Sequence, residues 1–144
     1  MKKLLEECEI KPHVIQMEAH PYYRDEETIA ALAPCGCCVM AWYPLGHGDH
    51  ALLEEPVVKE LAEKYGKSTA QVILRWHTQV GNIVIPGSTN PEHIKANLNI
   101  FDFELTEEEM KQMAGLNKNV RYYYPDEEKL AAYVNMKIDL DSQK

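Results

Sequence analysis

The run Asn82-Ile83-Val84-Ile85-Pro86-Gly87-Ser88-Thr89-Asn90-Pro91-Glu92-His93-Ile94-Lys95-Ala96-Asn97 constrains the fold more than any other part of the chain. A short apolar stretch ends in a turn of small and hydroxyl residues. A helix then opens on an Asn cap with Pro in its first turn. A strand that feeds a helix in this way leaves free N–H groups and the positive end of the helix dipole converging on one point, where a phosphate can sit.

The same grammar recurs along the chain. Lys2 to Glu9 reads as the end of a helix, and His13 to Glu18 as a strand. Arg24-Asp25-Glu26-Glu27 starts a helix that runs to about Ala33, and Gly36 makes the turn. Cys37 to Tyr43 is apolar almost without a break, as strands buried on both faces are. Pro56 to Tyr65 is a helix with Val57, Val58, Leu61, Ala62 and Tyr65 on one face, closed by Gly66 as the C′ residue. Ser68-Thr69-Ala70-Gln71 and Thr106-Glu107-Glu108-Glu109 are capping boxes. The first opens a helix with Val72, Ile73 and Trp76 inward; the second opens a helix to about Leu116. Asn82 to Ile85 is the third strand, and Asn90 to about Leu98 the helix after it. Asp126 to Asn135 makes a short helix, and the last residues are polar and expected to fray. Helices and strands alternate, which predicts an α/β fold with three parallel strands.

Composition excludes several classes. A length of 144 residues favours one domain, and no apolar run approaches a membrane span. The charged amphipathic start, Met1 to Glu7, is unlike a secretory signal, so a cytoplasmic address is expected. The net charge of −8, with Lys and Arg scattered among more numerous acids, argues against nucleic acid. Of the four Cys residues, Cys35 and Cys38 form a CxxC, but it follows a helix, where the dipole disfavours a thiolate. Cys8, Cys35, Cys37 and Cys38 are expected to be small buried apolar residues, with no metal site.

Four segments together resemble the aldo-keto reductases: His13-Val14-Ile15-Gln16-Met17-Glu18-Ala19-His20-Pro21-Tyr22, Ala41-Trp42-Tyr43-Pro44-Leu45-Gly46, Ile85-Pro86-Gly87-Ser88 and Phe101-Asp102-Phe103-Glu104-Leu105. They stand in that family's order and spacing over about residues 1 to 121. The resemblance implies part of a TIM (β/α)8 barrel that reduces carbonyls with NADPH or NADH. The three strands match the sixth, seventh and eighth of the barrel, so residues 1–124 correspond to its C-terminal half and 125–144 form an acidic tail. The strands that precede this region in the family have no counterpart here.

The resemblance also assigns roles. Gln16, at the end of its strand, matches the Gln that bonds the nicotinamide carboxamide, and Trp42 the aromatic that stacks on the nicotinamide. Leu45, Gly46 and the loop to Leu53 match the segment around the pyrophosphate. Ser88 and Thr89 match contacts to the adenosine phosphate, His93 stands at a phosphate-clamping position, and Asn97 matches the residue that bonds adenine. Many members place Lys at Gly87 and Arg at His93, and those cations hold the 2′-phosphate of NADP. Gly87 brings no charge and a histidine is not a permanent cation, so the NADPH preference is expected to be weaker and NADH plausible. Ala96 replaces a Glu found in some members, and Tyr43 a common Ser.

Hydride transfer also needs a proton donor. The family uses a Tyr with its pKa lowered by a Lys, aided by an Asp and a His, all in its front half. Here Lys59, Lys64 and Lys67 fall away from the strand carboxyl ends, and the pattern puts no Lys beside Tyr22 or Tyr23. By the same resemblance His20 is structural; His47, in a Gly-rich loop, is expected to be a solvated loop residue, with approach to a ligand the alternative. The expectation is a truncated oxidoreductase chain without its own catalytic set, or a non-catalytic relic that self-associates and at most binds nucleotide. Three strands leave two unpaired edges and one uncovered face, expected to include Val14, Gln16, Met40, Trp42 and Val84, so a homo-oligomer is expected. Arg121 to Pro125 lines a substrate pocket or forms a surface cluster.

Overall fold

The computed structural model describes residues 2–48 and 50–137. Met1, Asp49 in the expected pyrophosphate loop, and the C-terminal residues expected to fray, 138–144, lie outside the described residues. In chain order the elements are α1 (Lys2–Glu7), β1 (Val14–Glu18), α2 (Glu26–Leu32), a 3-10 turn (Ala33–Cys35), β2 (Cys38–Trp42), α3 (His50–Leu53), α4 (Pro56–Tyr65), α5 (Thr69–Gln79), β3 (Ile83–Val84), α6 (Pro91–Leu98), α7 (Glu107–Ala114) and α8 (Glu127–Asn135).

The strands form one parallel sheet in the order β1-β2-β3. Gln16 lies opposite Met40, Glu18 opposite Trp42, Met40 opposite Ile83 and Ala41 opposite Val84. Because side chains alternate across a strand, this register sorts the sheet into two faces. Ile15, Met17, Val39, Ala41 and Val84 face the helices and pack with Ala19, Leu32 and Ile29. Val14, Gln16, Cys38, Met40, Trp42 and Ile83 share the other face, where Val14, Cys38 and Ile83 are exposed. Val84 is therefore not part of the uncovered set; its place is taken by Ile83. The cysteines are likewise less buried than expected. Cys8, Cys35 and Cys37 are half-buried and Cys38 is exposed, because β2 opens onto the uncovered face.

The larger core lies among the helices rather than under the sheet. Leu52, Val58, Leu61, Ala62, Val72, Ile73, Trp76, Leu105 and Met113 pack there with Tyr22. The caps that frame it are built as their residues require. Gly66 takes φ 62, and the Lys67 N–H bonds the Ala62 carbonyl at 2.9 Å, closing α4 in a left-handed cap. Both capping boxes form, at Ser68/Gln71 and Thr106/Glu109. Glu109 does more than cap: its carboxylate also accepts from Lys64 Nζ and Tyr65 Oη, each at 2.6 Å. Burial pushes its pKa up, but the bonds from Lys64, Tyr65 and Thr106 outweigh burial and hold it at about 2. Gln71 Nε2 donates to the carbonyls of Ala96 and Asn99, tying the C-terminal end of α6 to α5.

Candidate functional site

The carboxyl ends of β1 and β2 and the chain leaving β3 converge on an open cleft of about 330 Å³. Gln16, Trp42, Tyr43, Pro44, Leu45, His47, Ile85, Pro86 and Gly87 are among its walls. Three of the residues singled out from the sequence, Gln16, Trp42 and Leu45, thus share one cavity. Gln16 is not at the strand end, since β1 continues to Glu18. Its side chain reaches across the sheet, with Nε2 3.5 Å from Met40 Sδ.

Gly46 is buried and follows directly from Leu45. It takes φ 83, its N–H bonds the Tyr43 carbonyl at 2.9 Å, and an added Cβ would lie 3.2 Å from Tyr122 Oη and 3.3 Å from Leu52 Cδ2. Both the backbone and the space demand glycine. The loop is held from behind by a residue the sequence reading did not single out. His77, fully buried on α5, donates Nε2–H to the Pro44 carbonyl at 3.2 Å, while Asn82 Nδ2 donates to its Nδ1 at 3.1 Å. Burial drives its pKa down to about 3, so the ring is neutral and matches both partners. Its position on an amphipathic helix carried no distinguishing signal.

Ser88, Thr89 and His93 gather at the start of α6, beyond Gly87. Ser88 Oγ accepts from the Asn90 N–H at 3.1 Å, and Asn90 Oδ1 caps the Glu92 N–H at 2.9 Å. Thr89 and His93 are exposed, and Asn97 is half-buried near the end of the helix. The segment leading into α6 therefore brings the Ser88 and Thr89 hydroxyls to the positive end of that helix, just beyond Gly87 at the cleft, while the Asn90 and Glu92 amides are held by the local caps.

A C-terminal strap crosses the ends of β1 and β2. Glu18, buried at the end of β1, accepts from the Tyr122 and Tyr123 N–H groups and from His20 Nε2 at 3.1 Å. Burial lowers the His20 pKa against the opposing pull of Glu18, which keeps the ring a neutral donor and fits a structural role. Tyr123 meets Trp42 edge-on with centroids 5.2 Å apart, and Pro125 helps to wall a small hollow beside Trp42. Arg121 bonds the Tyr23 hydroxyl and lies 3.4 Å from Asp25 Oδ2. Within Arg121 to Pro125, Tyr122 and Tyr123 are thus packed on the strand ends, while Arg121, Tyr124 and Pro125 are exposed.

A Lys does approach Tyr22, contrary to the sequence reading, whereas the cation beside Tyr23 is Arg121. Lys118 Nζ stands 3.7 Å from the Tyr22 ring centroid and bonds Glu55 at 2.8 Å, while Tyr22 Oη donates to the same carboxylate at 2.6 Å. These partners are more than thirty residues distant in sequence, which hid them. Neither arrangement makes a ready acid. Tyr22 already gives its proton to a carboxylate, and burial raises the Tyr23 pKa despite Arg121. The hydrogen bond to Tyr133 and burial raise that of Tyr123 to about 12. Among the described residues no group of three His, Cys, Asp or Glu side chains is placed to hold a metal, and no helix is long and apolar enough to cross a membrane.

Strand carboxyl ends that open on a cleft, with a phosphate-ready helix start at its edge, are the working face of a (β/α) barrel. The sequence profile of the Aldo/keto reductase family matches residues 1–118, and the chain belongs to that family. It is 48% identical over 124 residues to aldo-keto reductase family 1 member A1 of Gallus gallus, covering 81% of this chain and 38% of the relative. An aldo-keto reductase from a Medee basin deep-sea metagenome superposes with a TM-score of 0.81 at 30% identity, covering 85% of this chain and 46% of that one. A Bombyx mori aldo-keto reductase solved in complex with NADP superposes at 0.76 and 35% identity, over 83% and 42% of the two chains. The chain spans about two-fifths of the length of the curated relatives it matches, and its three-stranded sheet is a partial barrel.

Proposed function

We propose that this chain forms the nicotinamide-dinucleotide cradle of an aldo-keto reductase barrel, the part that holds NADPH or NADH for carbonyl reduction by hydride transfer. The observation that carries this reading is the cleft in which Gln16, Trp42, Leu45 and Gly87 meet beside the start of α6. Gln16 offers an amide for the carboxamide of the nicotinamide, and Trp42 an aromatic surface for its ring. Leu45 and Gly46 shape the loop for the pyrophosphate. Ser88, Thr89 and His93 receive the adenosine phosphate, and Asn97 the adenine. The solved relative with NADP supports the choice of cofactor. The absence of a fixed cation at Gly87 and His93 argues for a modest preference between the two nucleotides.

The tyrosines at this end whose pKa values shift, Tyr23 and Tyr123, move upward, away from what a neutral-pH proton donor needs. The donor is therefore assigned to the rest of a barrel, outside this chain's three strands. A second reading, a non-catalytic nucleotide binder that self-associates, is favoured by the open face bearing Val14, Cys38 and Ile83.

Complementation tests the two. The chain is assayed for aldehyde-dependent NADPH oxidation alone and mixed with a five-stranded front portion of an aldo-keto reductase. Turnover in the mixture that Trp42→Ala lowers supports the cradle. Nucleotide binding without turnover in either sample favours the second reading, and loss of both rejects the cradle.

A further inference from the structure

One part of the cleft is already filled by the chain itself. The Tyr43 ring stacks on Trp42 with centroids 3.8 Å apart and planes at 21°. The His47 ring stacks on Tyr43 at 3.8 Å and 29°. All three rings line the same cleft as Gln16 and Gly87. The backbone shows that this is a built arrangement. Tyr43 takes φ 58, a left-handed conformation that a bulky side chain adopts only when its surroundings impose it, and His47 takes φ 50, which histidine tolerates better. The turn that imposes it is fixed from both sides, by the Gly46 N–H on the Tyr43 carbonyl and by buried His77 on the Pro44 carbonyl. Tyr123 sits edge-on to Trp42 and adds a further ring to the crowd around it.

Resting on the cradle reading, we propose that Tyr43 is the affinity-setting residue of this site. Its ring occupies a stacking face of Trp42, and a nicotinamide ring reaches that face only by displacing it. A planar ring at 3.8 Å leaves no room for a second one between it and the indole. The incoming ring therefore replaces one aromatic stack by another, and most of the stacking gain is cancelled. An aromatic pair is worth about 0.5–1.5 kcal/mol beyond the area it buries, so Tyr43 weakens nucleotide binding by about twofold to twelvefold. His47, the outer leaf, holds Tyr43 in place and contributes less.

The test uses the full chain with Tyr43→Gly and Tyr43→Phe. Glycine suits the left-handed backbone and removes the ring; phenylalanine keeps the stack. Two readouts are taken: NADPH affinity by calorimetry and quenching of tryptophan fluorescence by acrylamide. Trp76 is buried in the core, so a change in quenching reports on Trp42. Circular dichroism checks that both variants fold. The expected result is tighter NADPH binding and stronger quenching in Tyr43→Gly, with Tyr43→Phe close to the parent. Equal, measurable affinities in Tyr43→Gly and the parent overturn the gating role while the cradle stands. No NADPH binding by any of the three overturns the cradle and the gate together, and unchanged quenching in a folded Tyr43→Gly overturns the stack.

Discussion

His77 shows how a single buried side chain sets the geometry of the cleft. It joins α5 to the loop after β2 by donating to the Pro44 carbonyl and accepts from Asn82 in the turn before β3, and it can do both only as a neutral ring. Folding moves its pKa from 6.5 to about 3, so between those values the unfolded chain binds the proton and the folded chain does not. Its contribution to stability is complete above about pH 6.5 and is lost as the pH falls toward 3. His20, lowered by burial as well, acts in the same sense. In denaturant titrations between pH 7 and pH 5, the parent is expected to lose stability more steeply than His77→Gln, by up to about 1.4 kcal/mol per pH unit. That window lies above the range in which Glu109, held at about 2, takes up its proton. Equal slopes in the two proteins would show that His77 is not held neutral. Gly46 belongs to the same scale: at φ 83 any other residue is strained, and its Cβ would have to push back the Leu52 and Tyr122 side chains.

Among the elements, the helices were legible because their signals are local. The Ser68/Gln71 and Thr106/Glu109 boxes, Asn90 before Pro91, and Gly66 after Tyr65 each act within one turn, and each formed as read. Strand extent was less legible. The run to Ile85 shrinks to two paired residues, because β3 is an edge strand and Pro86 has no N–H to pair. The single turn of α3 was missed altogether, since four residues leave no period to read. Contacts at long sequence separation were invisible, and these finish the site: Glu18 meets Tyr122 across 104 positions, and His77 meets Pro44 across 33. The Glu18 contact makes the strap from Arg121 to Pro125 an element in its own right. Glu18→Ala strips the partner from two backbone N–H groups and is expected to cost about 3 kcal/mol. Hydrogen exchange at the Tyr122 and Tyr123 amides should accelerate in the same variant. Unchanged exchange there would mean that the strap is held by its aromatic contacts instead.

The whole molecule is defined by its unfinished sheet. One face is sealed by α2 and the residues around it, whereas the other leaves Val14, Cys38 and Ile83 to solvent, and among the described residues neither edge of the sheet has a further strand. Two copies joined edge to edge bring six strands and three bring nine, so neither reproduces the eight of a complete barrel. Self-association is therefore expected to proceed through the apolar face, with sheets packed against each other. Ile83→Lys places a charge on that face and should shift the light-scattering mass toward the monomer without altering the circular dichroism spectrum. A parent that is already monomeric at micromolar concentration would contradict the expected association. The helical core of Leu52, Val58, Val72, Ile73 and Trp76 is closed independently of that face, so the variant should keep its helices.

Calorimetric titration of NADPH into the folded chain, with Gln16→Ala and Trp42→Ala alongside, bears most directly on the cradle. Saturable binding at one site per chain, weakened by each substitution, is the expected outcome. Heat indistinguishable from dilution, or binding that both substitutions leave unchanged, would contradict a nicotinamide site at the carboxyl ends of these strands.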